Sequence, residues 1–282
     1  MIKKYYQLAK PGIIFGNAIT AAGGFCLASK GHIDPWLLVA TLVGISLIIG
    51  SSCVLNNFMD RIGDEKMTRT KNRALVTGTI SPRNALVFAT LLGVLGSLTL
   101  ALFTNLLALF LALTGVFVYL VLYTILKYRT IYGTLIGSIA GGIPPVVGYT
   151  AVADRIDGGA LLIFLILVLW QMPHFFAIAM YRIDEFAAAS IQVLPIKSGM
   201  RITKIHMILY IIAFLIAASL LTLFGYTGYA YLVVASLCGF TWLWLCIKGF
   251  SADNDKRWAR KMFVLSLQVI TFLSIMISID VR

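Results

Sequence analysis

Residues 36–58 read WLLVATLVGISLIIGSSCVLNNF, 23 consecutive positions without a charge. As an α-helix this run would be about 34 Å long, enough to cross the roughly 30 Å hydrocarbon core of a bilayer. Lipid offers no partner to a backbone N–H or C=O, so a spanning segment must be a helix or part of a closed barrel. A run this long and continuous favours the helix. Comparable runs lie at about 12–29, 84–104, 106–126, 132–152, 159–180, 204–224, 228–248 and 259–279. The reading is an all-α polytopic membrane protein of nine transmembrane helices, a single domain over 1–282. Composition agrees: 60% of residues are hydrophobic and 12% charged, against roughly a quarter charged in soluble domains.

The start, Met1-Ile2-Lys3-Lys4 with an apolar stretch from Ile13, has the outline of a signal peptide. Its length, the Lys10-Pro11 interruption and the spans that follow make it the first membrane helix, uncleaved.

Charge orients the bundle. With the N-terminus cytoplasmic and nine alternating spans, 20 of the 23 Lys and Arg residues fall in cytoplasmic segments. Only Lys30, Arg155 and Arg282 fall outside. That is the positive-inside pattern, and eight or ten spans would scramble it, so the C-terminus is expected on the periplasmic side. The net charge of +12 then needs no nucleic-acid partner, and no basic tract interleaved with aromatics lies outside the spans. Cys26, Cys53, Cys238 and Cys246 all sit in apolar segments without a CxxC pair, and read as small buried hydrophobes.

Two cytoplasmic loops are long, about 59–83 and 181–203, and both carry carboxylates near a helix end. The first holds Asn56, Asp60 and Asp64, then Arg69, Lys71 and Arg73. A step of four residues turns a helix by 400°, so the first three groups drift only 40° at each step. They share one face if the helix continues that far. An amide and two carboxylates are hard oxygen ligands, and Mg²⁺ takes few protein oxygens beside water and phosphate oxygens. Cations this close suit a diphosphate, held and then neutralised as it leaves. Helix capping and local ion pairs would account for any one of these residues. The strict spacing followed by the basic cluster favours a Mg²⁺–diphosphate site, with Asn56, Asp60 and Asp64 as metal-binding and catalytic groups and Arg69 and Arg73 on the substrate.

The pattern NxxxDxxxDxxMxRTxxR, Asn56 through Arg73, resembles the first Asp-rich motif of the protohaem IX farnesyltransferase family, within the intramembrane UbiA-type prenyltransferases. The resemblance extends along most of the chain. It includes Lys10-Pro11, Tyr132-Gly133-Thr134, Gly141-Gly142-Ile143-Pro144-Pro145, Trp170-Gln171-Met172-Pro173-His174-Phe175 and Val193-Leu194-Pro195. Ala74 departs from the family, where many members have proline. The segment Arg182-Ile183-Asp184-Glu185-Phe186 is similar to the second Asp-rich motif, with Glu185 and Phe186 in place of Asp and Tyr, and Gln192 in place of a usual proline. The resemblance implies Asp184 or Glu185 as further metal ligands and Arg182 as a substrate contact. It implies transfer of a farnesyl group from farnesyl diphosphate to a vinyl group of haem B. Water adds, giving haem O and diphosphate, with Mg²⁺ as cofactor. The expected location is the bacterial inner membrane, and a terminal oxidase or haem-handling protein is a candidate partner.

Further candidates are single residues. Lys127 and Arg129 would face the diphosphate or haem propionates, although topology alone explains their charge. His174, inside the sixth span, is a substrate-contact candidate or a histidine satisfied by a neighbouring helix. Pro144-Pro145 are expected to break or kink the fifth helix beside a cavity. Two rival readings remain at this point: a prenyltransferase for another acceptor such as a quinone precursor, and a transporter. A transporter would place its carboxylates near the bilayer midplane, whereas Asp60, Asp64, Asp184 and Glu185 cluster at one edge.

Overall fold

The computed structural model describes all 282 residues. It is helical throughout, and nine helices are long and apolar enough to cross a membrane: α1 Pro11–Ser29, α2 Pro35–Met59, α3 Pro82–Phe103, α4 Leu106–Leu126, α5 Gly133–Ala153, α6 Gly158–Tyr181, α7 Leu194–Leu223, α8 Tyr229–Ser251 and α9 Asp255–Ile279. Their starts follow simple capping chemistry. Asp34, Ser81, Asn105, Asp157 and Asn254 each accept a backbone N–H of the first turn. Prolines stand in the first turn of α1, α2, α3 and α7, where a missing N–H is harmless.

Three features go beyond the expected spans. Helix α7 begins at Leu194 rather than near 204, because Lys197, Arg201 and Lys204 make its first turns polar. Its helical path is interrupted at Gly199, whose φ of 82° only glycine adopts freely. Helix α4 changes to a π-helix over Val118–Tyr123. Pro144 and Pro145 do not break helix α5, which continues through both from Gly133 to Ala153.

The packing explains the glycines around those prolines. A Cβ on Gly24 of α1 would collide with the Pro145 carbonyl, and one on Gly148 of α5 would collide with the Ala21 carbonyl. The two backbones therefore approach through small residues, as helices in lipid do when dispersion drives their packing. Helices α5 and α6 are the most enclosed, α3 and α4 the least. One large core joins α6 to α7, α8 and α9; a smaller one joins α1, α2 and the start of α4 to α5. Cys26, Cys53 and Cys246 are buried, and all four cysteines are free thiols. Trp242 is fully buried, while Lys248 lies over the exposed Trp244 ring and Arg282 over Tyr229.

Consecutive spans alternate in direction, so residue 10 and the segments 60–81, 127–132, 182–193 and 252–254 share one end of the bundle. The candidate site is there.

Candidate functional site

Helix α2 ends at Met59, with Asp60 as its C-cap, and a short helix Arg61–Glu65 follows. The helical register survives this break: Asp60 N–H donates to the Asn56 carbonyl at 2.9 Å and Asp64 N–H to the Asp60 carbonyl at 2.8 Å. Asn56, Asp60 and Asp64 therefore share one side, as their spacing requires. Asn56 and Asp64 are buried. Asn56 Nδ2 donates to Asp60 Oδ2 at 2.8 Å.

A cation meets each of the three. Lys10 Nζ donates to Asn56 Oδ1 at 2.8 Å, Lys127 Nζ to Asp60 Oδ2 and Arg73 Nη1 to Asp64 Oδ2 at 2.5 Å. The Tyr128 hydroxyl donates to Asp60 Oδ1 at 3.3 Å. The Lys127 ammonium is buried and lies 5.2 Å from the Tyr123 ring centroid and 5.1 Å from that of Tyr128, a further cation-stabilising environment. Burial pulls the pKa of the Lys10 ammonium down to about 8. It also lowers that of Arg69, and raises that of the Tyr128 phenol with help from the Asp60 carboxylate.

The backbone that presents these cations is tightly specified. Lys10 takes the left-handed conformation, φ 55°, uncommon for a residue with a side chain. A Cβ on Gly133 would stand 2.7 Å from Lys127 Cα, so only glycine lets the start of α5 fold against the end of α4. The Lys127 carbonyl accepts from Gln192 N–H at 2.9 Å, tying this turn to the second acidic loop.

The two acidic loops face each other. Glu185 Oε2 lies 3.8 Å from Arg69 Nε of the first loop and 3.7 Å from Arg182 Nη1. That oxygen is buried and has no hydrogen-bond partner. Asp184, one residue earlier, is turned outward: its side chain is 80% exposed and pairs with Lys256 of α9 at 2.5 Å. The 100° rotation between neighbouring residues of the short helix Ile183–Ala188 separates them.

The structure thus brings together Asn56, Asp60, Asp64, Arg69, Arg73, Lys127, Arg182 and Glu185. It does not bring in Arg129, which is exposed without an ion pair, or Asp184. His174 is buried in the interface of α6 and α9, with Nδ1 2.7 Å from Ser266 Oγ and its ring stacked on Trp170 at 4.7 Å. It is a histidine satisfied by a neighbouring helix, outside the ion-pair cluster. Lys10 joins the cluster from 46 residues away; its only sequence signal was the Lys10-Pro11 pair.

No three acidic, histidine or cysteine side chains lie close enough to enclose an ion by themselves. Asp60, Asp64 and Asn56 supply a partial, all-oxygen set, and the Glu185 oxygen on the facing loop accepts no hydrogen bond. This fits Mg²⁺, which fills its octahedron with water and phosphate oxygens, and does not suit a metal needing a complete protein cage.

Residues 17–268 match the model of the UbiA prenyltransferase family. A protein named Protoheme IX farnesyltransferase from Sodalis glossinidius is 53% identical, over 99% of this chain and 95% of the relative. One of the same name from Cronobacter sakazakii is also 53% identical, with the same coverage. Among solved structures, a digeranylgeranylglyceryl phosphate synthase superposes with a TM-score of 0.81 at 18% identity, over 99% of this chain and 98% of that one. A UbiA homologue from Archaeoglobus fulgidus bound to GPP and Mg²⁺ gives 0.76 at 15%, over 98% and 99%.

Proposed function

Since the chain belongs to the UbiA prenyltransferase family, and is a membrane-embedded prenyltransferase, we propose that it transfers a farnesyl group from farnesyl diphosphate to a vinyl group of haem B, forming haem O and diphosphate. The observation carrying this choice of substrates is the identity above 50% over nearly the full chain to relatives named for that reaction. The cluster of oxygen ligands and cations supplies chemistry suited to it.

In this reading Asn56, Asp60, Asp64 and Glu185 hold Mg²⁺, which would polarise the diphosphate oxygens and stabilise their developing charge. Lys10, Arg69, Arg73, Lys127 and Arg182 bind the diphosphate. Five cations around one leaving group lower the cost of breaking the allylic C1–O bond, whose electron pair departs with the diphosphate. The haem vinyl π-pair attacks C1. The cation left on the carbon beside the porphyrin ring takes up water and loses a proton, leaving the hydroxyl. The apolar interior of the helix bundle would keep water from the farnesyl cation until the C–C bond forms.

The site end is assigned to the cytoplasmic side of the inner membrane, supported by the 20 to 3 division of basic residues. Mg²⁺ as cofactor is supported by the donor set and by the Archaeoglobus homologue's bound ion. A transporter reading loses support because its carboxylates would sit nearer mid-membrane.

The test is an acceptor competition. Purified chain in detergent, with farnesyl diphosphate and Mg²⁺, is offered haem B or a prenylatable hydroxybenzoate, and products are identified by mass. Haem O alone is expected. A prenylated hydroxybenzoate with untouched haem would replace this reading with that of a quinone-precursor enzyme.

A further inference from the structure

We infer that Asn57 is a positioning residue that holds Arg73 on the diphosphate side of the site, its own amide braced by the Leu8 carbonyl of the N-terminal segment. This rests on the site reading above and extends it to a residue that is not one of the assigned ligands. Asn57 lies 100° around α2 from Asn56 and about 60° from Asp60, but seven residues before Asp64 it is only about 20° from that carboxylate in continuous register, so it flanks the stripe on the Asp64 side. It is only 2% exposed, and both ends of its amide are committed over long sequence separations. Nδ2 donates to the Leu8 carbonyl at 2.8 Å. Oδ1 accepts from Arg73 Nη1 at 2.9 Å, the nitrogen that also pairs with Asp64.

The Leu8 carbonyl is available because the helix Ile2–Leu8 ends there. Leu8 and Ala9 are buried against Val54, Leu75, Ile80, Ala85 and Ala89, and Lys10 then turns its ammonium to Asn56. Adjacent amides of α2 therefore hold both strands of the arrangement: Asn56 takes the Lys10 ammonium, Asn57 takes the Leu8 carbonyl and the Arg73 guanidinium. A guanidinium anchored by an amide and a carboxylate on one nitrogen presents its remaining N–H groups in a fixed fork, the geometry phosphate oxygens need. Unanchored, it would spend entropy on each binding event.

A residue that acts through Arg73 must lose its effect when Arg73 is absent. The measurement is a double-mutant cycle on the purified full chain: calorimetric binding of inorganic diphosphate with Mg²⁺ to the native protein, Asn57→Leu, Arg73→Gln and the double variant. Asn57→Leu is expected to weaken binding about tenfold, the equivalent of roughly 1.4 kcal/mol. The double variant is expected to bind no more weakly than Arg73→Gln alone. Asn57→Asp, which keeps the acceptor for Arg73 and drops the donor to Leu8, is expected to recover most of the loss. Additive losses, or no recovery with Asp, would overturn the inference. If Asn57→Leu does not yield folded protein, the shorter Asn57→Ser carries the same cycle. A native chain that binds no magnesium diphosphate refutes the site reading itself; native binding with additive losses refutes only the role of Asn57.

Discussion

Replacing Lys127 by methionine isolates one cation of the site while keeping most of the side chain's length and apolar stem. The Lys127–Asp60 pair is well sheltered, with side chains 6% and 13% exposed, so water replaces little of what is lost. Asp60 keeps the Asn56 amide and the Tyr128 hydroxyl, which supports the local fold. With Lys127 on the diphosphate as proposed, what disappears is a charge-assisted contact to the leaving group, worth about 1.5–3 kcal/mol. At 1.4 kcal/mol per tenfold, kcat/KM for farnesyl diphosphate should fall about 10- to 150-fold. Part of the loss should appear in kcat, because negative charge on the leaving group grows toward the transition state. The assay is steady-state haem O formation with each substrate varied in turn, on protein checked for monodispersity in detergent. A kcat/KM for farnesyl diphosphate within threefold of native, or a loss confined to the KM for haem, would refute the assignment of Lys127 to the diphosphate.

Other outcomes follow from the same geometry. Asp64→Asn should remove nearly all turnover while the purified protein stays folded; retained turnover would count against the oxygen-ligand stripe. Glu185→Gln should lower activity at least tenfold and Asp184→Asn less than threefold, because only Glu185 turns toward Arg69 and Arg182; the reverse order would show that the second loop is read wrongly. EDTA should stop the reaction and Mg²⁺ restore it, and indifference to EDTA would exclude a divalent ion. Gly148→Ala puts a Cβ onto the Ala21 carbonyl, 2.8 Å from its carbon. Overpacking of about 1–3 kcal/mol should lower the thermal midpoint by several degrees, whereas Gly16→Ala, inside α1 with nothing within 4 Å, should not lower it.

Much of this arrangement was legible in the sequence because lipid allows so few solutions. Uninterrupted apolar runs in a bilayer must be helices, and alternation of Lys and Arg counts them. The Asn56–Asp60–Asp64 stripe was legible because local register survives the end of α2. What the pattern could not carry was direction after a turn. Asp184 and Glu185 are neighbours with opposite destinations, decided by how the helix Ile183–Ala188 packs on Lys256 and Arg69. Arg129 and Lys127 differ in the same way, because the turn before Gly133 exposes one and buries the other. The start of α7 was hidden by its polar first turns. The contacts of Lys10 and Asn57 span 46 and 49 residues, and no periodicity encodes them. Pro144 and Pro145 suggest a break or kink by residue type, yet the helix continues through them, and the Pro145 carbonyl and the small residues beside it are where α1 and α5 touch.

Every role proposed for the site requires the two acidic loops to grip one metal-bound diphosphate between them. Anomalous diffraction from crystals grown with Mn²⁺ in place of Mg²⁺ and a non-ionising farnesyl thiolodiphosphate would locate it directly. Metal peaks are expected beside Asp60 and Asp64, with the diphosphate between them and Glu185 and its oxygens on Lys127 and Arg73. A diphosphate bound elsewhere, or metal peaks remote from both loops, would contradict that grip.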